Sequence, residues 1–497
     1  MTLSASDLVR TLETVWPASD IPDAAQYLPE TLELRTDSRQ VAAGEVFVAV
    51  PGSSADGRDF VDRALEAGAA LVLSHADGGE VTLEGRILAL PQLASRLGEL
   101  GRALFAVPDA LEVIAVTGTN GKSSVTHYVA ALSETLGTPA GVVGTLGAGR
   151  IGALADTGLT TPGTLELQAA LGRMARQGVR RVALEASSHA LDQQRLDAVN
   201  VKAGVFTNLS RDHLDYHGSM AAYAATKAGL FRRGELALAV VNADDALTRL
   251  MLAGCREGVR VLATGQAEAV TLRVLECSLH AAGLQAIIAT PDEEKVLSLG
   301  LMGRFNLDNV LLAMAVLYGL GEPLDALIEA AARLQPVPGR MALYRIAGAP
   351  SVVVDYAHTP GALESALSAL RAHLGSAGQL WCVFGCGGDR DRGKRALMAR
   401  AAETWADRCV VTDDNPRSES PAAIREDIVA GFEDPSAVLD IGERRRAIAE
   451  VIARAEVDDV ILVAGKGHEA YQEIDGVRHD YLDGDEVERA LAARSEP

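Results

Sequence analysis

Cysteine is scarce in this chain, and so are aromatic residues and positive charge. Five cysteines, at 255, 277, 382, 386 and 409, are spread over 497 residues. They form no paired framework of the kind that staples small secreted domains, so reduced thiols are expected. Cys382 and Cys386 are close in sequence, but no second Cys/His pair nearby completes a zinc site. Phe, Trp and Tyr together make up 4%. Lys and Arg number 46 against 67 Asp and Glu, a net charge of -21. That balance argues against a nucleic-acid partner, which would need a basic face. Any anionic substrate must then be met by local cationic sites. No uncharged apolar run reaches the ~18 residues of a membrane span. The opening MTLSASDLVRTLETVW carries Asp7 and Glu13 and no cationic-then-apolar stretch. No signal peptide is therefore expected, and a cytoplasmic location is.

The chain is 48% hydrophobic, ample for sizeable cores. Its length suggests about three domains. Residues 1–108 hold short strand-like runs, VFVAV at 46–50 and ALVLS at 70–74, with amphipathic helices. Residues 109–336 open with the strand VIAV and include the candidates RVALE (181–185), AGVFTN (203–208) and LALAVVN (236–242). Alternation over 259–301 reads as β-rich, and 306–320 and 323–334 read as helices. QPVPGR, 335–340, holds two prolines and a glycine and reads as a linker. In 337–497 strands alternate with helices: 351–355, 380–384, 408–412, 437–441 and 459–464, the last followed by a loop. That alternation implies a parallel, doubly wound sheet.

VIAVTGTNGKSS, 113–124, is the strongest local signal. A β-branched run enters a Gly-rich turn, and Gly-Lys-Ser opens a helix. Backbone N–H groups at such a start bind phosphate, and Gly118 and Gly121 permit close approach. Lys122 would reach the β/γ-phosphates and Ser123 would ligate Mg²⁺. The spacing is shorter than the common loop, which has a glycine where this chain has Val116. A phosphate loop fits a kinase, an NTPase switch or a ligase equally. LEASSHALDQQRL puts Glu185 at a strand end, and FTNLSRDHLDYHGSMAAYAATKAGLF carries His213 and then Lys227 on a helix. In a doubly wound sheet the carboxyl ends of strands border the ligand crevice. A carboxylate and a neutral imidazole there would suit a divalent cation.

TDDNPRSESP, 412–421, follows another β-branched run. Arg417 is either a solvated residue of an Asn-Pro turn, with Ser418 or Ser420 capping the next helix, or a guanidinium held still for a ligand.

TGTNGKSS, LEASSHALDQQR, NLSRDHLDYHG, AAYAATKAGLF, GRFNLDN, DYAHTP, GCGGDRDRGKR, DDNPR and GKGHE occur in this order. With these motifs the chain resembles the Mur ligases, from about residue 35 to its end. TGTNGK alone would mark only the wider superfamily that includes folylpolyglutamate synthetase, whereas DDNPR with GKGHE points to the branch that adds the third residue of the muramoyl peptide. The resemblance implies an α/β fold in three domains. These are an N-terminal UDP-binding α/β domain, a central P-loop ATPase-like parallel sheet with a β-rich addition, and a C-terminal doubly wound, Rossmann-like amino-acid domain. It implies ATP as co-substrate, Mg²⁺ as cofactor, small-molecule substrates and a monomer. The γ-phosphoryl of ATP would go to the D-Glu carboxylate of a UDP-muramoyl-dipeptide, and an amine would then displace it.

Residue by residue, Gly118, Thr119, Asn120, Gly121, Lys122, Ser123 and Ser124 match the family's phosphate loop. Glu185 and His213 match its metal-associated positions, and Lys227 the lysine it carbamylates. The resemblance implies Asn306, Arg340, Asp355, Tyr356 and His358 as further nucleotide contacts. Ser38, Ser53, Ser54, Ala55, Thr160, Thr161, Ser187, Gln193 and Arg195 match the UDP-sugar side, where SSA replaces a common HQA. Arg390, Asp414, Asn415, Pro416, Arg417, Gly465 and Glu469 match the amino-acid pocket. Branches that use meso-diaminopimelate resemble DNPR, and lysine-adding branches lack that arginine. A lysine-adding or folylpolyglutamate-type ligase, and a non-catalytic descendant acting as an interaction protein, are the other readings.

Overall fold

A computed structural model describes residues 3–19, 21–52, 55–375 and 377–495. Ser53 and Ser54 lie outside the described residues. The chain divides into two compact units. The first comprises Met1–Thr119, Gly137–Ala239 and Arg249–Arg260. Its N-terminal sheet has strands in the order Leu34–Arg35, Val46–Ala49, Leu71–Ala76, Ile87–Pro91 and Thr82–Glu84. All pair in parallel except the last. Side chains alternate along a strand, so Val46 and Val48 face one way and Phe47 and Ala49 the other. Helices Ala5–Val15 and Leu93–Leu104 cover the first face through Leu8, Leu12, Leu97 and Leu100. Helix Val61–Glu66 covers the second through Ala64 and Leu65. A parallel sheet buried on both faces needs such continuously apolar strands.

The same unit holds four parallel strands in the order Ala140–Gly144, Arg181–Glu185, Glu112–Thr117 and Val201–Phe206. Gly147–Arg150 and Ala153–Ala155 extend it antiparallel. Register pairs Glu185 with Val116 and Phe206 with Thr117, so three strand ends meet where the phosphate loop begins.

The second unit comprises Asn120–Leu136, Val240–Thr248 and Val261–Pro497. Helix Lys122–Thr135 packs on helix Arg304–Gly319. The expected β-rich addition is an antiparallel set, Leu272–His280, Gly283–Ala289 and Glu294–Leu299. A six-stranded sheet follows, in the order Ala342–Tyr344, Ser351–Asp355, Val460–Ala464, Leu380–Phe384, Arg408–Val411 and Leu439–Asp440. Only the first pairs antiparallel. Helices Pro360–Arg371, Gly393–Trp405 and Pro421–Val429 cover one face. Arg444–Arg454 and Asp483–Ser495 cover the other. The doubly wound expectation holds.

Two local expectations do not. The stretch after residue 464 is more than a loop: it forms a hairpin, Tyr471–Ile474 with Val477–Asp480, before the final helix. Asp475 and Gly476 turn the hairpin at φ 48 and 75, as a two-residue primed turn requires. Ser418 is not a helix cap. Its hydroxyl donates to Asp389 at 2.8 Å, and Ser420 takes the N-cap position without a side-chain bond. No helix among the described residues is long and apolar enough to cross a membrane.

Candidate active site

The strand Glu112–Thr117 delivers the chain into the phosphate loop, and Lys122 opens the helix that follows. Gly118 has φ 146, and a side chain there would strike the Thr207 hydroxyl. Gly121 has φ 84 and sits against the Asn309 amide oxygen. Both positions therefore exclude other residues by conformation and by space. Thr119 donates its backbone N–H to Asn208 O at 2.8 Å, and its hydroxyl lies 3.2 Å from the Tyr223 hydroxyl. Ser123 and Ser124 are buried at the start of the helix.

Lys227 is no surface residue. It is 1% exposed, its ammonium donates to Gly118 O at 2.7 Å, and it lies 4.6 Å from the centre of the Tyr223 ring. Glu185 is equally buried. Its Oε1 accepts the Thr145 N–H at 2.9 Å. His213 takes φ 52 just before the short helix Leu214–His217, with Nε2 3.3 Å from Asp212. Its ring stands edge-on to His189 at 4.9 Å. Burial first, then the neighbouring imidazoles, push the His189 pKa down; burial likewise lowers that of His217. Neutral rings are the result.

The sugar-side residues join the same cluster. Thr160 contacts the Thr145 hydroxyl at 3.0 Å. Thr161 donates to Glu185 O at 2.6 Å, and its hydroxyl lies 3.1 Å from that of Ser187. Arg195 donates to Thr161 O at 2.7 Å and to Gln193 Oε1 at 2.6 Å. Gln193 and Arg195 face a cavity of ≈ 790 Å³ that Thr36, Gly52, His75 and Tyr216 also line. Ser38 is buried in the turn Ser38–Gln40, and Ala55 is exposed. Neither lines that cavity.

In the second unit, Asn306 is turned inward. Its amide donates to Met302 O at 2.8 Å and accepts from the Tyr128 hydroxyl at 3.2 Å. The residue against the phosphate loop is Asn309, one helical turn on, which sequence reading did not single out. Arg340 lies 4.9 Å from the centre of the Tyr356 ring, and its buried Nε has no hydrogen-bond partner among the described residues. His358 and His468 pack on the same ring at 4.5 and 5.0 Å. Burial, with Arg340 and His127 nearby, pushes the His468 pKa down to about 4. Asp355 accepts the N–H groups of Met341 and Ala357, both at 2.8 Å. It anchors the segment after the linker.

Loops at the carboxyl ends of Leu380–Phe384, Arg408–Val411 and Val460–Ala464 converge, as parallel neighbours must. They bring together Arg390, Asp414, Asn415, Pro416, Arg417, Gly465 and Glu469. Arg417 sits in the left-handed region at φ 51. Its N–H donates to Glu473 O at 3.0 Å and its O accepts from Asp475 at 2.7 Å, so the hairpin holds it. Its guanidinium donates to Gly388 O at 2.7 Å, and Arg390 lines the same glycine-rich turn. A side chain at Gly465 would come within 2.7 Å of the Asp414 carboxylate. Asn415 donates to Glu469 Oε2 at 2.8 Å. Sequence reading missed Lys466 and Glu473, which touch these residues; no spacing rule marks them, because their roles come from the folded hairpin and loops.

A Gly-rich loop that opens a helix, an acid-bearing strand end beside it and loops that converge at one edge of a second parallel sheet are parts that an ATP-dependent amide ligase needs. The chain matches the Mur ligase family catalytic domain over 33–105, the Mur ligase middle domain over 116–317 and the Mur ligase glutamate ligase domain over 339–467. It belongs to the Mur ligase family. Among its relatives is the UDP-N-acetylmuramoyl-L-alanyl-D-glutamate--2,6-diaminopimelate ligase of Pseudomonas aeruginosa, 48% identical over 94% of this chain and 96% of its own length. The enzyme of the same name from Xanthomonas campestris is 45% identical over 92% and 93%. A solved structure of a ligase with that name superposes at a TM-score of 0.72 with 36% identity, covering 100% of both chains. Mycobacterium tuberculosis folylpolyglutamate synthase, solved with ADP and AMPPCP, shares the fold at a TM-score of 0.58 and 22% identity, over 75% of this chain and 92% of its own.

Proposed function

We propose that this chain uses ATP to join meso-diaminopimelate to the D-Glu carboxylate of UDP-N-acetylmuramoyl-L-Ala-D-Glu, a step of peptidoglycan precursor synthesis in the cytoplasm. The observation that carries the acceptor is Arg417, whose guanidinium is held at Gly388 O among the loops that also carry Arg390, Asp414 and Glu469. Diaminopimelate differs from lysine by a second carboxylate at its far end, and a planar guanidinium is shaped to hold one. Lysine would bring no carboxylate to the guanidinium donors that Gly388 O leaves over. The relatives' names support the same acceptor.

In this reading residues 1–108 serve the UDP end, 109–336 the nucleotide and 337–497 the amino acid. A carboxylate is a poor acyl donor, so it must first carry a leaving group. Transfer of the γ-phosphoryl of ATP makes an acyl phosphate. The free amine of the amino acid attacks its carbonyl carbon, and a tetrahedral intermediate expels phosphate to leave the amide. Lys122 and the loop N–H groups offset the charge that builds on the transferring phosphoryl. Arg195, Gln193, Ser187, Thr161 and Thr160 orient the muramoyl-dipeptide. Ser38 and Ala55 bind the same substrate's uridine end, and Arg340, Asn306 and His358 bind the nucleotide.

The donor chemistry fits Mg²⁺. Glu185 is a buried carboxylate, and a hard cation takes such oxygens together with those of phosphate. When bound, Mg²⁺ would neutralise phosphate charge. Among the described residues no group of three or more His, Cys, Asp or Glu side chains is gathered for a metal, so His213 would join Glu185 as a ligand only once the ion and the phosphates are bound. Lys227 as an ammonium would repel a cation, whereas its carbamate would be an oxygen-bearing anion. The test is phosphate release with ATP and UDP-muramoyl-dipeptide, comparing meso-diaminopimelate, L-lysine and no amine, with and without bicarbonate. Release should require diaminopimelate and rise with bicarbonate. Release that ignores the amine would overturn the ligase reading, and indifference to bicarbonate would remove the carbamate.

A further inference from the structure

Lys466 lies between two pocket residues, Gly465 and Glu469, and its side chain is 0% exposed. Its ammonium donates to Asn415 Oδ1 at 3.0 Å and to Glu469 Oε2 at 3.1 Å. The rings of Tyr471 and Tyr481 flank it, with centres 5.6 and 5.9 Å away. Asn415 Oδ1 also accepts the Glu473 N–H at 3.0 Å. Two donors on one oxygen settle the orientation of that amide, so its nitrogen must face Glu469 Oε2, at 2.8 Å. Glu469 Oε2 thus takes two donors. Glu469 Oε1 meets no donor among the described residues, and this side chain is 22% exposed.

A fully buried ammonium is costly unless it is paired and hydrogen-bonded. Filling this space needs only an apolar side chain. The charge does something packing does not: it locks a carboxylate by one oxygen and leaves the other presented. An amino acid with an ammonium at its far end would be met by that oxygen and by Asp414, beside Arg417 on the adjoining carboxylate.

We propose that Lys466 is a positioning residue that makes the pocket select for an amino group at the far end of the acceptor. It acts by holding Asn415 and Glu469 in a fixed arrangement. The proposal rests on the amino-acid ligase reading above. Without Lys466, Asn415 Oδ1 keeps only the Glu473 N–H and Glu469 Oε2 keeps only the Asn415 amide, so Glu469 is freer to swing and the incoming ligand must order it. Among the described residues, the side-chain hydrogen bonds of Lys466 go only to Asn415 and Glu469.

The experiment uses the full chain and two acceptors, meso-diaminopimelate and L-2-aminopimelate, which keeps both carboxylates and lacks the second amine. The preference is the ratio of kcat/KM values from phosphate release. Lys466→Met should lower that ratio on the order of tenfold, the scale of one charge-assisted hydrogen bond. The loss should appear in KM for meso-diaminopimelate, with KM for ATP within about twofold of the parent. Lys466→Gln keeps a donor for Asn415 without the charge and should fall between. Equal loss for both acceptors, or KM for ATP rising in step, would show a merely structural role and overturn the proposal. So would failure of both variants to fold by circular dichroism. No release by the parent chain with either acceptor would instead strike the ligase reading, and this proposal with it.

Discussion

Arg417 adopts φ 51, which for a residue with a side chain costs roughly 1–2 kcal/mol. The hairpin offsets that cost with a backbone bond on each side, to Glu473 and from Asp475. Substitution by Ala or Lys should lower kcat/KM for meso-diaminopimelate roughly 10- to 100-fold, since one charge-assisted contact is lost, and leave ATP affinity unchanged. Steady-state kinetics with nucleotide binding by calorimetry would check it; unaltered use of diaminopimelate would sink the assignment. That an arginine mattered here was legible in DNPR. Its left-handed backbone was not, because the partners that hold it are over fifty residues further along. Asn309 was missed for a similar reason: Asn306 and Asn309 share a helix, and only packing decides which one meets Gly121.

At the scale of elements, the loops proposed to take the amino acid are braced from behind. Arg444, at the start of helix Arg444–Arg454, is fully buried with Asp483, which opens the last helix. Two bonds of 2.7 and 2.8 Å join them, and Arg444 also donates to Ala464 O at 2.9 Å, next to Gly465. Burial alone would lower the Arg444 pKa; the Asp483 charge and hydrogen bonds more than offset it and leave it raised. Arg444→Met should cost about 3–5 kcal/mol, because Asp483 is left buried and unpaired. Replacing both, as Arg444→Met with Asp483→Leu, should cost less. Urea denaturation of the three proteins tests this, and a double variant as unstable as the single one would refute it. The strand–helix alternation of this region was readable from apolar runs within one or two residues. The hairpin escaped because YQEI and VRHD are exposed or half-buried and carry no apolar alternation, although Asp-Gly marked the turn.

For the molecule as a whole, two histidines, His373 buried and His468 half-buried, link stability to pH. His373 accepts the Gly303 N–H at 2.7 Å and donates to His280 O at 2.9 Å, which requires a neutral ring. Burial lowers its pKa, and that of His468 falls to about 4. Unfolded, both would take up a proton near pH ~6.5. Their contribution is therefore complete above that value and is lost as pH falls toward about 4. For His468 the ceiling is about 3 kcal/mol, less because the residue is only partly buried. The urea midpoint should fall between about pH 7 and 5, and His468→Gln should flatten that fall. An unchanged slope in the variant would rule His468 out.

Sequence by itself determined the α/β class, the strand–helix alternation of residues 351–464, the Gly-rich loop and the residue types that phosphate, carboxylate and ammonium groups require. Those are local matters, set by apolar periodicity, turn chemistry and functional-group identity. Only tertiary structure decided that Lys227 and Lys466 are buried, that Asn309 rather than Asn306 meets the phosphate loop, and that a distant hairpin holds Arg417. Burial and hydrogen-bond partnership depend on which segments meet in space, and contacts between segments far apart in the chain leave no periodic trace in either one.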